Sequence, residues 1–462
     1  MEKETEKQNL GSGSIPGLMI KLAVPTIIAQ LVNLLYNLVD RIYIGHIREV
    51  GDIALTGLGL CFPVLMMVTA FAMLIGSGGA PRAAIYMGKG DNETAERILG
   101  NSVTSLIVIS VVLTIFLEAV AEPILWMFGA SEKTLPFALG YMRIYVAGSI
   151  FVMMTLGLNM FITTQGFAKI SMKTVLIGAI CNIILDPLFI FAFHMGVKGA
   201  ALATITAQAV SAVWVVRFLC GRRTKLRIQR RLLRLDAKVL APVLALGLSP
   251  FIMQSTESLV NIAFNSSLKT YGGDPAVGAM TICSSIMQVF SLLFQGLSQG
   301  AQPIVGYNYG AGQLDRVKRT FRLLFFSSLC FSCAACAALE LFPGLFVSLF
   351  NDKPELVEIA VWALHIYAAG MFMLGVQFSC QQTFVALGQT RVSLFLALLR
   401  KVILLIPLIL LLPRFLSDQV FAVFLAEPVA DILAATTPGA IFFWRLPRIL
   451  EKRRLELEHR PI

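Results

Sequence analysis

Residues 22–45 read LAVPTIIAQLVNLLYNLVDRIYIG, and this stretch decides the class of fold. It contains only two charged residues, Asp40 and Arg41. It is also longer than the roughly 20 apolar residues that an α-helix needs to cross a bilayer. Similar stretches recur along the 462-residue chain, in which 57% of the residues are apolar and 14% are charged. Because soluble proteins average about 25% charged residues, the sequence predicts a polytopic α-helical membrane protein rather than a soluble enzyme.

Runs of low charge, bounded by glycine, proline or clusters of charge, predict twelve transmembrane helices. The predicted spans are 17–46, 54–81, 96–120, 136–165, 170–194, 199–220, 239–268, 276–304, 320–342, 359–387, 392–413 and 418–445. Because the number of spans is even, both termini are expected on the same side of the membrane.

The distribution of basic residues predicts the orientation. The outer loops contain six of them, which are Arg48, Lys133, Lys198, Lys269, Lys353 and Arg414. Four more lie inside predicted spans, namely Arg41, Arg143, Arg400 and Lys401. The remaining 28 or so accompany the termini and the even-numbered loops, which the positive-inside rule places in the cytoplasm. The formal charge of +11 therefore marks the topology of a protein in a bacterial-type inner (plasma) membrane, and we expect no nucleic-acid partner.

The two halves of the chain repeat each other at an offset of about 222–225 residues. The segment LAVPTIIAQ around Pro25 matches LGLSPFIMQS around Pro250. The further matches are Gly78, Pro81, Gly88, Gly90, Arg97, Tyr145, Gly148, Gly166 and Lys169 with Gly300, Pro303, Gly310, Gly312, Arg319, Tyr367, Gly370, Gly388 and Arg391. Six spans in each half predict two parallel, pseudo-symmetric six-helix bundles around a central cleft.

This repeat predicts five consecutive regions. They are a cytoplasmic tail over 1–16, an N-lobe over 17–220, a basic cytoplasmic linker over 221–238, a C-lobe over 239–446 and a basic cytoplasmic tail over 447–462. The basic run from Arg217 to Lys238 is interpreted as a plain linker. The alternative is that it binds the head groups of anionic membrane lipids, as juxtamembrane polybasic segments do.

Acidic residues inside predicted spans are the candidate functional residues, because each costs roughly 2.5–3.5 kcal/mol to insert. Asp186 has the most informative surroundings. Asn182 lies four residues earlier, on the same helical face, and Pro187 removes a backbone donor. In the next span, Ala200 and Thr204 are again four residues apart. Carboxylate, amide, hydroxyl and carbonyl oxygens suit a hard cation, and the same pocket is equally suited to hold a proton.

The other acids have competing interpretations. Asp40 is either a further oxygen ligand of this site or the partner of Arg41 in a local ion pair. Glu257 is either functional or structural. Glu427 and Asp431 are interpreted as neutralising two basic residues of span eleven, Arg400 and Lys401.

Several of these segments together resemble the MATE (multidrug and toxic compound extrusion) transporters. They are VPTIIAQLVNLLYNLVDRIYIG in span one, CNIILDPLFIF in span five, GVKGAALAT at the start of span six and the duplicated GxxPxxxxxxGxG pattern. The resemblance covers nearly the whole chain. It implies a twelve-span antiporter that exports small organic cationic or amphipathic substrates in exchange for Na⁺ or H⁺. It also implies no other cofactor, no enzymatic activity and, as we expect, a monomer.

The resemblance also assigns residues to sites. The family's N-lobe cation site corresponds to Asp40, Asn182, Asp186, the Ala200 carbonyl and Thr204. A possible C-lobe site for substrate or cation corresponds to Glu257 in span seven with Gln377 and Gln381 in span ten. Family members that use a C-lobe sodium site have an acid in span ten, and this chain has none there.

Two other functions are weighed against this one. A flippase for a lipid-linked precursor requires a strongly cationic cleft, for which Arg143, Arg400 and Lys401 are the only deep candidates. An intramembrane metalloenzyme requires clustered ligands, but the four histidines are scattered at positions 46, 194, 365 and 459. No metal other than a possible Na⁺ is predicted.

Overall fold

The computed structural model describes residues 10–47, 50–350 and 353–459. Arg48, most of the predicted N-terminal tail and the last three residues of the C-terminal tail lie outside that part of the chain. Fifteen α-helices lie within it. They are α1 Ile15–Gly45, α2 Gly51–Gly88, α3 Asn92–Met127, α4 Leu135–Ala147, α5 Ser149–Thr164, α6 Ala168–Pro187, α7 Val197–Cys220, α8 Ala237–Gly310, α9 Leu314–Leu341, α10 Pro343–Ser348, α11 Pro354–Tyr367, α12 Leu374–Ala386, α13 Thr390–Leu398, α14 Ile406–Phe415 and α15 Gln419–Glu458.

These helices account for the twelve predicted spans. In the described part of the chain, nine helices are long and apolar enough to cross a membrane. One of them, the 74-residue α8, would be about 111 Å long if straight, and it breaks at Gly273, whose φ is +68°. Two further spans are bent pairs, α4 with α5 at 54° and α11 with α12 at 45°. The predicted all-α membrane fold with twelve spans is confirmed.

The internal repeat is visible in how the helices end. Helix α2 is followed by Gly90 at φ +77°, and α8 is followed by Gly312 at φ +76°. Glycine reaches these left-handed conformations without the steric cost of a Cβ atom. The next backbone amides also make equivalent bonds, from Asp91 N to the Tyr86 carbonyl (3.0 Å) and from Gln313 N to the Asn308 carbonyl (2.9 Å). Each residue pair is separated by 222 positions, so the two halves share one backbone plan.

A proline interrupts the fifth span of each half. Pro187 ends α6 and is followed by a π-helical turn over Leu188–Ala192. In the second half, a π-helical turn over Leu399–Leu405 joins α13 to α14, which has Pro407 in its first turn. Proline lacks the backbone N–H that a regular helix requires, and wide turns of this kind are frequent at functional sites.

The chain forms two compact units, one of residues 10–12 and 24–251 and the other of residues 13–23 and 252–459. Helices α1 and α8 therefore each contribute residues to both units. The first part of α8 packs closely against α2, since a Cβ added at Gly78 would lie 2.1 Å from the Val243 carbonyl oxygen. The first part of α1 packs in the same way against the second part of α8, since a Cβ added at Gly300 would lie 2.5 Å from the Ala23 Cα. Glycine is required at both positions, which are also 222 residues apart.

The basic segment over 221–236 is hydrogen-bonded to the first unit. The buried Gln165 side-chain oxygen accepts bonds from the Thr224 hydroxyl (2.7 Å) and from the Lys225 and Leu226 backbone amides (2.8 Å each). Its arginines are exposed, namely Arg222, Arg223, Arg227, Arg230, Arg231 and Arg234. The segment is therefore anchored through its backbone while its charged side chains point outward.

Two further acceptors extend this attachment. Glu96 accepts a bond from the Arg227 backbone amide (3.0 Å), and Asn101 accepts one from the Asp236 amide (2.7 Å). Because all the acceptors are side chains of the first unit, this segment is a docked element rather than a free tether.

We predict that Gln165→Leu loosens this segment. The substitution removes the acceptor of the buried Leu226 backbone amide, and a buried amide left without one costs about 1–3 kcal/mol. Limited trypsin digestion of purified protein should cleave faster at the arginines of 222–234, and the apparent Tm should fall.

The matched control is Gln389→Leu, because the Gln389 side chain makes a long, 3.5 Å bond to the Leu387 carbonyl. Equal cleavage rates in the two variants would contradict the anchoring role of Gln165.

Candidate functional site

The first unit buries two acidic side chains in its helical interior, Asp40 near the end of α1 and Asp186 at the end of α6. Asn182 lies one turn before Asp186 on α6, and its amide nitrogen donates a 3.1 Å hydrogen bond to Asp186 Oδ1. The two carboxylates are close enough to interact electrostatically. The bonding of Asn182 to Asp186 follows directly from the four-residue spacing seen in the sequence.

Three oxygen atoms at this site lack hydrogen-bond donors among the described residues. They are Asp40 Oδ1, Asn182 Oδ1 and Asp186 Oδ2, and all three are buried. Buried polar atoms normally have a partner, and a buried ionised carboxylate without one is very costly. Since all three atoms are oxygens, the donor set fits a hard monovalent cation or a proton.

A small pocket of about 40 Å³ lies beside Asn182 within the first unit. Its lining includes two predicted site residues, Asn182 and Thr204, from α6 and α7. Ala200, which is also buried, lies one turn before Thr204 on α7. The fold therefore brings α1, α6 and α7 to one polar region. The role of each predicted residue in binding a cation stays a prediction.

The sequence analysis missed two residues of this region, Tyr36 and Gln208. Tyr36 lies close to Gln208 and within electrostatic range of Asp40 and Asp186. Both residues line the pocket. The signal was available, because Tyr36 lies four residues before Asp40 and Gln208 four residues after Thr204.

A third residue, Tyr141 of α4, was also missed. Its side chain lies close to Thr204 and within electrostatic range of Asp40. No sequence spacing relates α4 to α1 or α7, so only the fold reveals this contact.

The alternative interpretation of Asp40 as the partner of Arg41 is met only in part, because the Arg41 charge lies within electrostatic range of Asp40 without forming a direct salt bridge between the two described residues. Asp40 is buried, whereas the Arg41 side chain is exposed. No ion pair joins the two residues in the described ranges. Consecutive residues on a helix point in directions about 100° apart, so the local pair is geometrically unfavourable.

The second unit has a different arrangement around Glu257. The Glu257 carboxylate, whose side chain is 54% exposed, forms an ion pair with the ammonium group of Lys401. Lys401 also donates to the Met253 carbonyl (3.1 Å), and the Gln381 amide nitrogen lies 3.0 Å from the Met253 sulfur. Gln377 is buried and its side-chain oxygen has no hydrogen-bond partner among the residues described. Glu257 and Gln381 are therefore linked through Met253 and Lys401.

Arg400 has two acidic partners on α15. Its guanidinium lies 2.7 Å from Asp431 Oδ1 and 3.0 Å from Glu427 Oε1. The interpretation that these acids neutralise Arg400 is confirmed. For Lys401 it needs correction, because its ion pair is formed with Glu257 on α8. Residues on different spans have no sequence spacing that would indicate such a contact.

A resident metal centre is not indicated by these residues. Within residues 10–47, 50–350 and 353–459, no group of three or more His, Cys, Asp or Glu side chains has a geometry that could hold a metal ion.

Comparison with known proteins places these features in a family. The family model described as MatE matches residues 25–188 and 250–411, once in each half. The chain is 25% identical over 423 residues to the multidrug export protein MepA of Staphylococcus haemolyticus, covering 91% of this chain and 92% of that protein. It is 23% identical to MepA of Staphylococcus saprophyticus, with coverage of 90% and 92%.

Solved structures give the same fold. The crystal structure of a MATE protein in a bent conformation matches with a TM-score of 0.90 at 23% identity, covering 96% of this chain and 98% of that one. A MOP superfamily transporter from Pyrococcus furiosus, described as having a binding pocket of reverse polarity, matches with a TM-score of 0.89 at 22% identity and 96% and 98% coverage.

We predict that Asp186→Asn abolishes cation-dependent stabilisation of the purified protein. A ligand at a concentration of 100 times its Kd stabilises the folded state by about 2.7 kcal/mol. The apparent Tm of the wild type should therefore rise when NaCl replaces choline chloride or when the pH is lowered. In cation-free buffer at alkaline pH, the variant should be more stable than the wild type, because it buries one charge fewer.

Glu118→Gln is the control, since Glu118 lies in an exposed 3.8 Å pair with Arg143. An unchanged response to Na⁺ and H⁺ in Asp186→Asn would show that these oxygens do not bind the cation.

Proposed function

Because this chain belongs to the MatE family of transporters, we propose that it is a secondary multidrug antiporter that exports organic cations by alternating access. The coupling ion is Na⁺ or H⁺. The observation that carries this proposal is the set of donor-free buried oxygens on Asp40, Asn182 and Asp186. The names of the relatives, multidrug export proteins that align over about nine-tenths of the chain, support the proposed substrate range.

In this proposal the first unit couples transport to the ion gradient. If the ion is Na⁺, Asp40, Asn182, Asp186, the Ala200 carbonyl and Thr204 supply its oxygen ligands. If it is H⁺, the two carboxylates take the proton. Either ion removes the repulsion between Asp40 and Asp186. Coupling then requires only that the ion and the substrate each weaken the binding of the other.

In the second unit, Glu257 is proposed to attract the cationic group of the substrate. Its carboxylate is the most exposed of the three acids near Lys401, since Glu427 and Asp431 are almost fully buried. Gln377 and Gln381 add uncharged polar groups, which suit varied substrates because they impose no fixed charge. The ion pair with Lys401 shields the carboxylate until a stronger-binding cation replaces the ammonium group.

The flippase alternative is not favoured, because the buried basic residues Arg400 and Lys401 already have acidic partners and Arg143 is exposed. Arg400 is paired with Glu427 and Asp431, Lys401 with Glu257, and Arg143 with Glu118. A phosphate ligand would have to displace these carboxylates.

We further propose that the protein is a monomer in the inner (plasma) membrane with both termini in the cytoplasm. The exposed arginines of the segment 222–234 would then lie at the inner surface. At that position they attract anionic lipid head groups, at about 1 kcal/mol per basic residue.

Ion coupling is tested with purified protein in liposomes. Efflux of a fluorescent organic cation is measured under a Na⁺ gradient at equal pH and, separately, under a pH gradient without Na⁺. One of the two gradients should drive transport by the wild type, and Asp186→Asn should lose the gradient-driven part. Glu118→Gln should match the wild type. Transport driven by neither gradient would reject the antiporter proposal.

The role of Glu257 in substrate binding gives a separate prediction. The variant Glu257→Gln should raise the KM for an organic cation about fivefold, equivalent to roughly 1 kcal/mol, because the carboxylate is lost and the Lys401 charge is left to repel the substrate. The same gradient should still drive transport. Asp274→Asn, at an exposed side chain, serves as the control, and a KM equal to the wild-type value in Glu257→Gln would remove Glu257 from the substrate site.

A further inference from the structure

Arg400, Glu427 and Asp431 form a buried triad in the second unit. The Arg400 guanidinium bonds to Asp431 Oδ1 through Nε (2.8 Å) and to Glu427 Oε1 through a terminal nitrogen (3.0 Å). The exposed fraction of the side chains is 14% for Arg400, 8% for Glu427 and 1% for Asp431. All three residues lie within candidate membrane spans, where a charged side chain is costly.

The triad is not electrically balanced. With both acids ionised, one guanidinium faces two carboxylates, which leaves one net negative charge. Lys401 is adjacent in sequence and within electrostatic range of both acids, but its ammonium group is bonded to Glu257 and to the Met253 carbonyl. Among the described residues, the cation other than Arg400 that acts on both acids is therefore already paired with a third carboxylate.

Each acid of the triad also has one oxygen without a donor. Glu427 Oε2 and Asp431 Oδ2 are buried and have no hydrogen-bond partner among the described residues. Arg400 satisfies only the opposite oxygen of each carboxylate. Burying two acceptor oxygens without hydrogen-bond donors, next to a net negative charge, raises the free energy of the folded state in an apolar interior.

Among the described residues, Arg400 and Lys401 are the cations within electrostatic range of Glu427 and Asp431, whereas Arg414 lies in the last turn of α14 and His365 pairs with Glu340. From α11, the uncharged phenol of Tyr367 lies within electrostatic range of both acids. The π-helical turn before α14 supplies Arg400 and Lys401, and α8 supplies Glu257. Gly370, between α11 and α12, closes one side, because a Cβ atom there would lie 3.1 Å from the Asp431 Cβ.

We propose that Glu427 and Asp431 share one bound proton at neutral pH and so form a proton site in the second unit, separate from Asp40 and Asp186. The proton is taken up from solvent and returned to it, with no other bond changed. It brings the triad to zero net charge and turns one carboxylate into a hydrogen-bond donor. Two carboxyl groups in one site can hold a single proton because like charges at short range disfavour double ionisation.

Infrared spectroscopy of the purified full-length protein tests this site without using transport. The Asp40→Asn/Asp186→Asn background removes the two acids of the first unit. In this background we expect the carbonyl stretch of a protonated carboxylic acid at pH 7, where ordinary carboxyl groups are ionised. It should shift in D₂O and disappear at high pH.

Three variants in the same background assign the band. Asp431→Asn and Glu427→Gln should each abolish it at pH 7, because Arg400 then balances the one remaining carboxylate. Lys401→Met should preserve the band to higher pH, because a positive charge near both acids is lost. Glu340→Gln, whose partner is His365 on α11, should leave it unchanged.

The proposal would be overturned by absence of the band in the background protein at pH 7, or by its survival in both Asp431→Asn and Glu427→Gln. If one of those variants elutes as aggregate on size exclusion, the other decides the outcome. Because the readout is spectroscopic, failure of this proposal is distinguishable from failure of the antiporter proposal.

Discussion

The cost of burying charge within transmembrane helices is the constraint on which the rest of this structure depends. A charged side chain in a span needs a partner, a cavity or a bound ion. The two units meet this requirement differently. In the first, Asp40 and Asp186 are buried within electrostatic range of each other, and no salt bridge is formed by either among the described residues. In the second, Glu257, Glu427 and Asp431 are paired with Lys401 and Arg400.

This difference arises on a shared backbone. In both halves a proline and a π-helical turn interrupt the fifth span. In the first half Asp186 precedes Pro187, and in the second half Ile406 precedes Pro407. The acid at the break of the helix thus occurs in one half only, and the second half instead has two adjacent basic residues one to two turns earlier. A duplicated scaffold of this kind fixes the positions that side chains occupy, while the residue types decide which ion each unit attracts.

The sequence predicts the frame well because the signals for it are local or periodic. Twelve spans follow from the length of apolar runs, and the repeat follows from glycines that occupy equivalent positive-φ positions after α2 and α8. The contact between Asn182 and Asp186 also follows from sequence, since a helix brings residues four apart together. Bent helices were expected from the many glycines and prolines, but the sequence did not locate the bends of more than 40° between α4 and α5 and between α11 and α12.

Contacts between elements distant in sequence required the tertiary structure. The sequence alone determined the membrane class, the number of spans and the duplicated plan. It also identified the acidic residues that are costly to insert into a membrane span. It did not determine that Lys401 pairs with Glu257, that Tyr141 reaches Thr204 from α4, or that Gln165 anchors the basic segment by accepting three hydrogen bonds. The physical reason is that periodicity specifies which face a side chain occupies on its own helix, whereas its partner depends on how that helix packs against others.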